Sequence, residues 1–389
     1  MHSETQIECA RVRSRAMHQA FTGPSYTVGV EEEMMIVDAE SFDLVNAIEA
    51  LLKDADAAGI ASTEGEFKPE LMESVLEIAT KPCADVPAAA EQLTELRHQV
   101  REIAAKRGLR IGSSGTHPFA KWEHQRIVAR PRYRDLISAL RFVARQELIF
   151  GMHVHIGLDD PDKAIYVANG MRVHVAVLQA LSANSPFWRG DETGLLSTRT
   201  PIFRAFPRVG MPPAYADWED YEQQVEFMVA SGVMEDYTYL WYDVRPHPNL
   251  GTVEIRCCDS QTRVVHTVAL TALIQAMVKE LAERFESGEP LSEYPWQMLD
   301  ENKWLAARHG LDAELVDLPS SERVGAKALT RRLLERLIPH AQDLGGEDAL
   351  AGIRDLLERG NGATRQIVVY EANHDLNEVM AEIIAATGD

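Results

Sequence analysis

Cysteine is scarce in this chain, with four residues in 389, at positions 9, 83, 257 and 258. So few exclude a disulfide framework, and a reducing compartment, the cytoplasm, is the expectation. Cys257 and Cys258 are adjacent and read as small buried apolar residues on opposite strand faces. No apolar run approaches the roughly 20 residues that cross a bilayer, so no membrane partner is expected. The first 25 residues carry Arg11, Arg13 and Arg15 but no apolar stretch, which argues against a secretory signal. Positive charge is in deficit: 39 Lys and Arg stand against 60 Asp and Glu, a formal net charge of -21. That disfavours a nucleic-acid partner and is compatible with cation binding. Walker and GxGxxG phosphate loops are missing, so any nucleotide would be held by metals and arginines. Internal repeats and low-complexity linkers are missing too. What remains is ordinary globular composition, 46% hydrophobic with 24 Gly and 18 Pro, in a chain long enough for a large core.

The stretch Tyr26–Val37 organises the rest. Val28, Val30, Met34 and Ile36 recur with period two and predict a strand. Glu31, Glu33 and Met35 then share one face and Glu32 takes the other. Two carboxylates side by side on a strand suit a solvated edge, or a site where a cation sits between them.

In chain order, residues 1–25 form an arm or short helix. A turn near Ser41 leads to a short strand, and Ala47–Ala58 to a helix closed by Gly59. Phe67–Thr80 fits both periods. Strand is chosen because Lys81-Pro82 stops it and a helix follows, capped by Asp85 with Pro87 in its first turn. Leu109–Gly112 is a short strand, Tyr133–Glu147 a helix and Leu148–Leu158 a strand. A helix runs from about Lys163 to Ala183. Ser185–Pro213 is an irregular, functional loop with aromatic residues. Trp218–Ala230 is helical, Tyr239–Arg245 and Gly251–Asp259 are strands, and nearly everything from Thr262 onward is helical.

Four strands present polar pairs on one face: Glu31/Glu33, Glu73/Glu77, His153/His155 and Glu254/Arg256. Alone, each reads as packing or an exposed pair of little weight. Together, with apolar residues on the opposite faces, they predict one sheet with a covered back and a carboxylate-rich front. Crowded acids raise one another's pKa and call for cations, and an oxygen-rich donor set suits Mg²⁺ or Mn²⁺. Arg256 adds a fixed charge matched to phosphate or carboxylate.

Longer motifs carry a resemblance. They are Gly29-Val-Glu-Glu-Glu, Glu73-Ser-Val-Leu-Glu-Ile, Gly115-Thr-His-Pro, Gly151-Met-His-Val-His-Ile-Gly, Ala183-Asn-Ser-Pro-Phe-Trp-Arg-Gly, Thr193–Arg199, Thr252-Val-Glu-Ile-Arg256 and Ala363-Thr-Arg-Gln366. In this order the chain resembles the YbdK-type carboxylate–amine ligases, or type 2 glutamate–cysteine ligases, from about Tyr26 to the C-terminus. The resemblance implies an α+β fold: a glutamine-synthetase-like antiparallel sheet curved into a half-barrel, helices on its convex side and a helical C-terminal part. It implies a single catalytic domain over residues 26–389. It also implies that ATP phosphorylates a carboxylate, usually of glutamate, and that an amine, cysteine or another, attacks the acyl phosphate. By similarity the metal ligands are Glu31, Glu33, Glu77, His153 and Glu254, and the catalytic arginines Arg256 and Arg199. Glu73, His155, Arg132 and Arg199 fall to substrate binding, and a homodimer is implied. Two other readings stay open on the residues alone: a metal-dependent amide hydrolase and a non-catalytic nucleotide or amino-acid binding module.

Overall fold

The structure, a computed structural model, describes residues 17–60 and 65–388. The expectations for residues 1–16, including the missing secretory signal, lie outside the described residues. Seven strands form one open antiparallel sheet: β1 (Val28–Asp38), β2 (Gly65–Pro69), β3 (Val75–Thr80), β4 (Leu109–Gly112), β5 (Gly151–Gly157), β6 (Val244–His247) and β7 (Thr252–Asp259). Their order is β6-β7-β5-β1-β3-β2, and β4 pairs with the far end of β1. β1 is therefore an interior strand, flanked by β5 and β3.

One face of the sheet is apolar. Val28, Val30, Met34, Ile36, Val154, Ile156, Val253 and Ile255 are all buried in the main core. The Val86–Ala105 and Val264–Glu286 helices pack on that face and bury their own stripes, Leu93, Leu96 and Val100 on the first, Leu270, Leu273 and Met277 on the second. Burying each such side chain stabilises by about 1.5–3 kcal/mol. The first of these helices starts where the sequence says: Asp85 accepts from the Ala88 amide at 2.8 Å.

One polar group interrupts this back. Glu32 is fully buried and takes Arg97 of the Val86–Ala105 helix in two hydrogen bonds, at 2.9 and 2.7 Å. Thr267 of the Val264–Glu286 helix also donates to it, at 2.5 Å. The remaining Arg97 donors go to the backbone oxygens of Gln261 and Thr262.

Several elements depart from the sequence reading. Phe67–Thr80 is two strands joined by a turn, because Pro69 ends β2 and the Glu73 amide leaves the ladder for the Arg126 carbonyl, at 2.8 Å. The helix expected over Tyr133–Glu147 starts at Pro131 and breaks at Arg141, whose φ of 53° is left-handed. The long helix after Asp160 is interrupted by a 3₁₀ turn over Arg172–His174. The strand expected over Tyr239–Arg245 is displaced to β6, preceded by a two-residue strand at Trp241–Tyr242. The helical C-terminal part also contains a β-hairpin, Glu314–Asp317 with Glu322–Gly325.

Two helical stretches, Pro161–Ser182 and Val264–Glu286, have the length and composition of a bilayer span, which the sequence reading did not expect. In the fold, 72% and 78% of those apolar windows are buried, so they serve as core helices.

Candidate active site

The sheet's register assembles the polar front. Glu31 lies opposite His153 on β5, Glu33 opposite Glu77 on β3, and Glu254 opposite His155 on β5. Lys68 on β2 faces Glu77, and Arg245 on β6 faces Glu254. Facing residues on one side of an antiparallel pair stand about 4.5–5.5 Å apart at Cβ, within reach of one another. Residues distant in sequence thus meet on one face, with Lys68 and Arg245 at its two sides and the carboxylates and imidazoles between them.

This face opens into a cavity of about 400 Å³. Glu31, Glu33, Glu77, His153, Arg256, Arg199 and Arg132 all line it. Two groups of donors converge there, Glu31, Glu77 and His153, and Glu33, Glu70 and Glu77; a third, Glu31, His155 and Glu254, lies behind it, and of its members only Glu31 lines the cavity. Within each group the donor atoms lie within 4.8 Å of one another. These oxygen-rich sets fit a hard divalent cation.

Electrostatics bear this out. Burial, then the charges of Glu31 and of Glu70, hold the Glu77 carboxyl well above its usual range. Burial and Glu33 push Glu70 up to about 7. Both are the signature of acids crowded out of water. Glu31 behaves otherwise: burial raises it, but the hydrogen bond to His153 and the nearby His155 imidazole outweigh that and hold it well below the ordinary value. His153 Nδ1 lies 3.1 Å from Glu31, and burial and Arg256 depress its own pKa. Lys68 sits between two of the acids, 3.4 Å from Glu31 and 3.1 Å from Glu77.

Glu254 is held differently. Arg245 donates to one of its oxygens at 2.7 Å, and Arg256 hydrogen-bonds the other. Burial opposes its ionisation, but the two guanidiniums win and keep it well below the usual carboxylate range. Among the described residues Arg256 Nε has no partner, and neither has Arg199 Nε. Buried guanidinium donors left unpaired cost stability, and an anionic ligand in the cavity would satisfy them. Arg199 starts the short Arg199–Phe203 helix, where the Ser185 hydroxyl accepts from its amide at 3.1 Å. A Cβ at Gly151 would fall 2.3 Å from the Arg199 guanidinium, so only glycine allows this approach.

Two expected residues sit elsewhere. Glu73 does not line the cavity: it precedes β3, and its carboxylate binds Arg126 at 2.7 Å. The i, i+4 spacing to Glu77 suggested a shared face, but the turn before Val75 cancels it. His155 lies one layer deeper than a substrate contact, its Nδ1 3.0 Å from the Thr252 hydroxyl and its Nε2 3.8 Å from both Glu31 and Glu254. Arg132 reaches the cavity mouth, where it bonds the Thr238 hydroxyl at 3.1 Å and stacks over Tyr239.

Four residues of the site escaped the sequence reading: Lys68, Glu70, Glu147 and Arg245, all of which line the cavity. Glu147 is half-buried, with one oxygen unpartnered, and burial pushes it up to about 8. Arg245 and Lys68 had a usable signal, since each sits on a strand and alternates with an apolar neighbour. Glu70 and Glu147 lie just outside strands and had none.

The family profile described as "Glutamate-cysteine ligase family 2" matches residues 27–385. The chain belongs to that family. It is accordingly an ATP-dependent carboxylate–amine ligase of the glutamate–cysteine ligase type. The curated relatives that carry similar sequence span nearly all of it. The protein named "Putative glutamate--cysteine ligase 2-1" of Rubrobacter xylanophilus is 44% identical over 364 residues, 93% of this chain and 95% of that protein. "Putative glutamate--cysteine ligase 2" of Solibacter usitatus is 38% identical over 364 residues, covering 94% of each. Among solved structures, a Francisella tularensis glutamate–cysteine ligase in complex with AMP superposes with a TM-score of 0.67 at 14% identity, over 95% of this chain and 89% of that one. A bifunctional glutathione synthetase from Pasteurella multocida gives 0.64 at 14% identity, over 93% of this chain and 51% of that one. At that identity these two establish the fold of this ligase, an α+β architecture on an open antiparallel sheet.

Proposed function

We propose that the cavity on the sheet's polar front joins glutamate to an amine through an acyl phosphate, with ATP as phosphoryl donor. The observation that carries this reading is the convergence of Glu31, Glu33, Glu70, Glu77 and His153 with the unpaired Nε donors of Arg199 and Arg256 in one cavity. Acids this crowded need a counter-cation, and the free guanidinium donors need an anion. A nucleotide triphosphate with its cation supplies both.

In the first step a carboxylate oxygen of the acid attacks the γ-phosphorus and ADP leaves. In the second the amine nitrogen attacks the acyl carbon, phosphate leaves with that carboxylate oxygen, and the amine gives up a proton. Arg256 and Arg199 offset the charge of the transferring phosphoryl group, where preorganised donors contribute most. Arg245 holds Glu254 in place. Glu147, which lines the cavity with one oxygen unpartnered, takes the amine's proton in its ionised form. Arg132 at the mouth and His155 behind the carboxylates orient the acid. Glu73 has no part in this scheme. Mg²⁺ or Mn²⁺ held by Glu31, Glu33, Glu77, His153 and Glu254, with Glu70 beside them, would neutralise phosphate charge. The protein works as a cytoplasmic homodimer in this reading, which sedimentation of the purified protein tests.

Oxygen-18 placed in the γ-carboxylate of glutamate tests the route. With a competent amine, the label appears in inorganic phosphate and ADP accumulates. Label in AMP, or ATP cleavage that no acid stimulates, would overturn it.

A further inference from the structure

A second cavity of about 390 Å³ lies on the helical side of the molecule, away from the polar front. That volume falls within the roughly 300–1,000 Å³ of small-molecule sites. Its walls are Val173 and Val177, Leu281 of the Val264–Glu286 helix, Leu315 and Leu318 of the C-terminal hairpin, and Leu333 of the Ala326–Asp343 helix. Three arginines, Arg284, Arg332 and Arg336, and His174 also line it. In a chain of net charge -21 such a concentration of guanidinium on apolar walls is out of character.

The cations are unequally engaged. Arg284 bonds Glu289 at 2.7 Å and Arg336 bonds Glu280 at 2.7 Å. The lining carboxylate of Asp317 accepts from Ser320 at 2.6 Å. Arg332 makes no ion pair or hydrogen bond among the described residues, and His174 makes none either. Burial, then Arg336 and Arg284, hold His174 down to about 3, so its ring is neutral and can donate or accept. The cavity thus offers apolar walls, one free guanidinium with a second close by, and a neutral imidazole.

The wall is also tied to the polar front. The Asn302 side chain, on the Trp296–His309 helix, clips the hairpin by two bonds to the Val316 backbone, at 2.8 and 2.7 Å. The next residue, Lys303, is buried and bonds both oxygens of Asp243 at 2.7 Å. The Asp243 carbonyl in turn accepts from the Arg256 amide, at 2.8 Å.

We propose that this cavity is a regulatory site for a small organic anion, an apolar body bearing one phosphate or carboxylate head, with Arg332 and Arg336 on the head and the leucine walls on the body. The Asn302–Lys303–Asp243 chain carries its occupancy to Arg256. The regulatory half rests on the ligase reading above, whereas binding does not. Phenyl phosphate is the probe, titrated by calorimetry into the full-length protein with no ATP present. The expected result is one site per chain, at least tenfold tighter than for inorganic phosphate, and still occupied at saturating ATP and Mg²⁺. Arg332→Gln and, separately, Arg336→Gln, both at exposed positions, each weaken binding at least fivefold. The bound probe changes ATP turnover at least twofold in the parent and not in Arg332→Gln. Absence of binding at millimolar probe, complete displacement by ATP, or parent-like affinity in either variant overturns the site. Binding without any change in turnover overturns the regulatory role.

Discussion

Glu31 and Glu32 are neighbours in sequence and face opposite sides of one strand. Glu32 is buried, with a two-bond guanidinium partner and a hydroxyl, all fixed on packed helices. Glu31 shares its space with Lys68, His153 and other acids that border a cavity. Both are carboxylates near other charges. The difference is that Glu32's partners are built in and complete, while the front's are crowded and open to exchange. A complete buried pair contributes to folding, and an incomplete cluster awaits a ligand.

The sharpest way to break this contrast is at Glu32. Glu32→Ala leaves Arg97 charged and unpaired in the core, and we expect a loss of about 3–5 kcal/mol of stability, read from urea unfolding. Turnover per folded molecule should stay near the parent's. A fall in turnover without a fall in stability would erase the distinction.

Glu254→Gln should act mainly on the chemistry. The amide keeps the shape but loses the buried charge that two guanidiniums share, so some stability is lost as well. Turnover per folded molecule should drop about 10²–10³-fold. Turnover within tenfold of the parent would remove Glu254 from the reaction.

The third expectation concerns acid. His117 is buried and neutral: its Nδ1 accepts from the Ala120 amide at 3.0 Å and its Nε2 meets the Phe42 carbonyl at 2.8 Å. Burial lowers it from 6.5 to about 4. Between those values the unfolded chain binds a proton that the folded chain does not, so stability falls as pH drops through that window. The shift corresponds to about 3 kcal/mol. The slope of stability against pH should flatten in His117→Gln, and an unchanged slope would assign the acid sensitivity elsewhere.

The smallest effect should come from Cys257→Ala. The hydrogen bond with Cys258, then burial, keep this thiol well above its ordinary pKa, so it is a poor nucleophile, and the acyl phosphate needs none. Turnover should stay within about twofold, with a stability loss of about 1 kcal/mol. A dead but folded variant would point to a thioester.

The alternation on β1, β5 and β7 was legible because period two survives in a strand with one covered face. That was enough to separate Glu31 from Glu32 and to put His153 and Glu254 on the front. Register was not legible. Nothing local to Arg245 says that it will lie opposite Glu254, or that Lys68 will lie opposite Glu77, because cross-strand pairing is set by the whole sheet. Glu73 shows the opposite failure: its spacing was suggestive, and a turn with a tertiary hydrogen bond to Arg126 took it away. Arg97 was not singled out at all: its bond to Glu32 spans 65 positions and left no local trace.

Lys68 gives the front a chemical character beyond its geometry. Its ammonium already spans Glu31 and Glu77, and those two acids with it raise its pKa despite burial. A divalent ion entering there would displace a monovalent one, as on an ion-exchange resin. The net gain in charge is then one unit rather than two, and the resting cavity keeps its acids from repelling the sheet apart. Selectivity follows as well: a monovalent metal offers these carboxylates nothing that the tethered ammonium does not, while a doubly charged ion does.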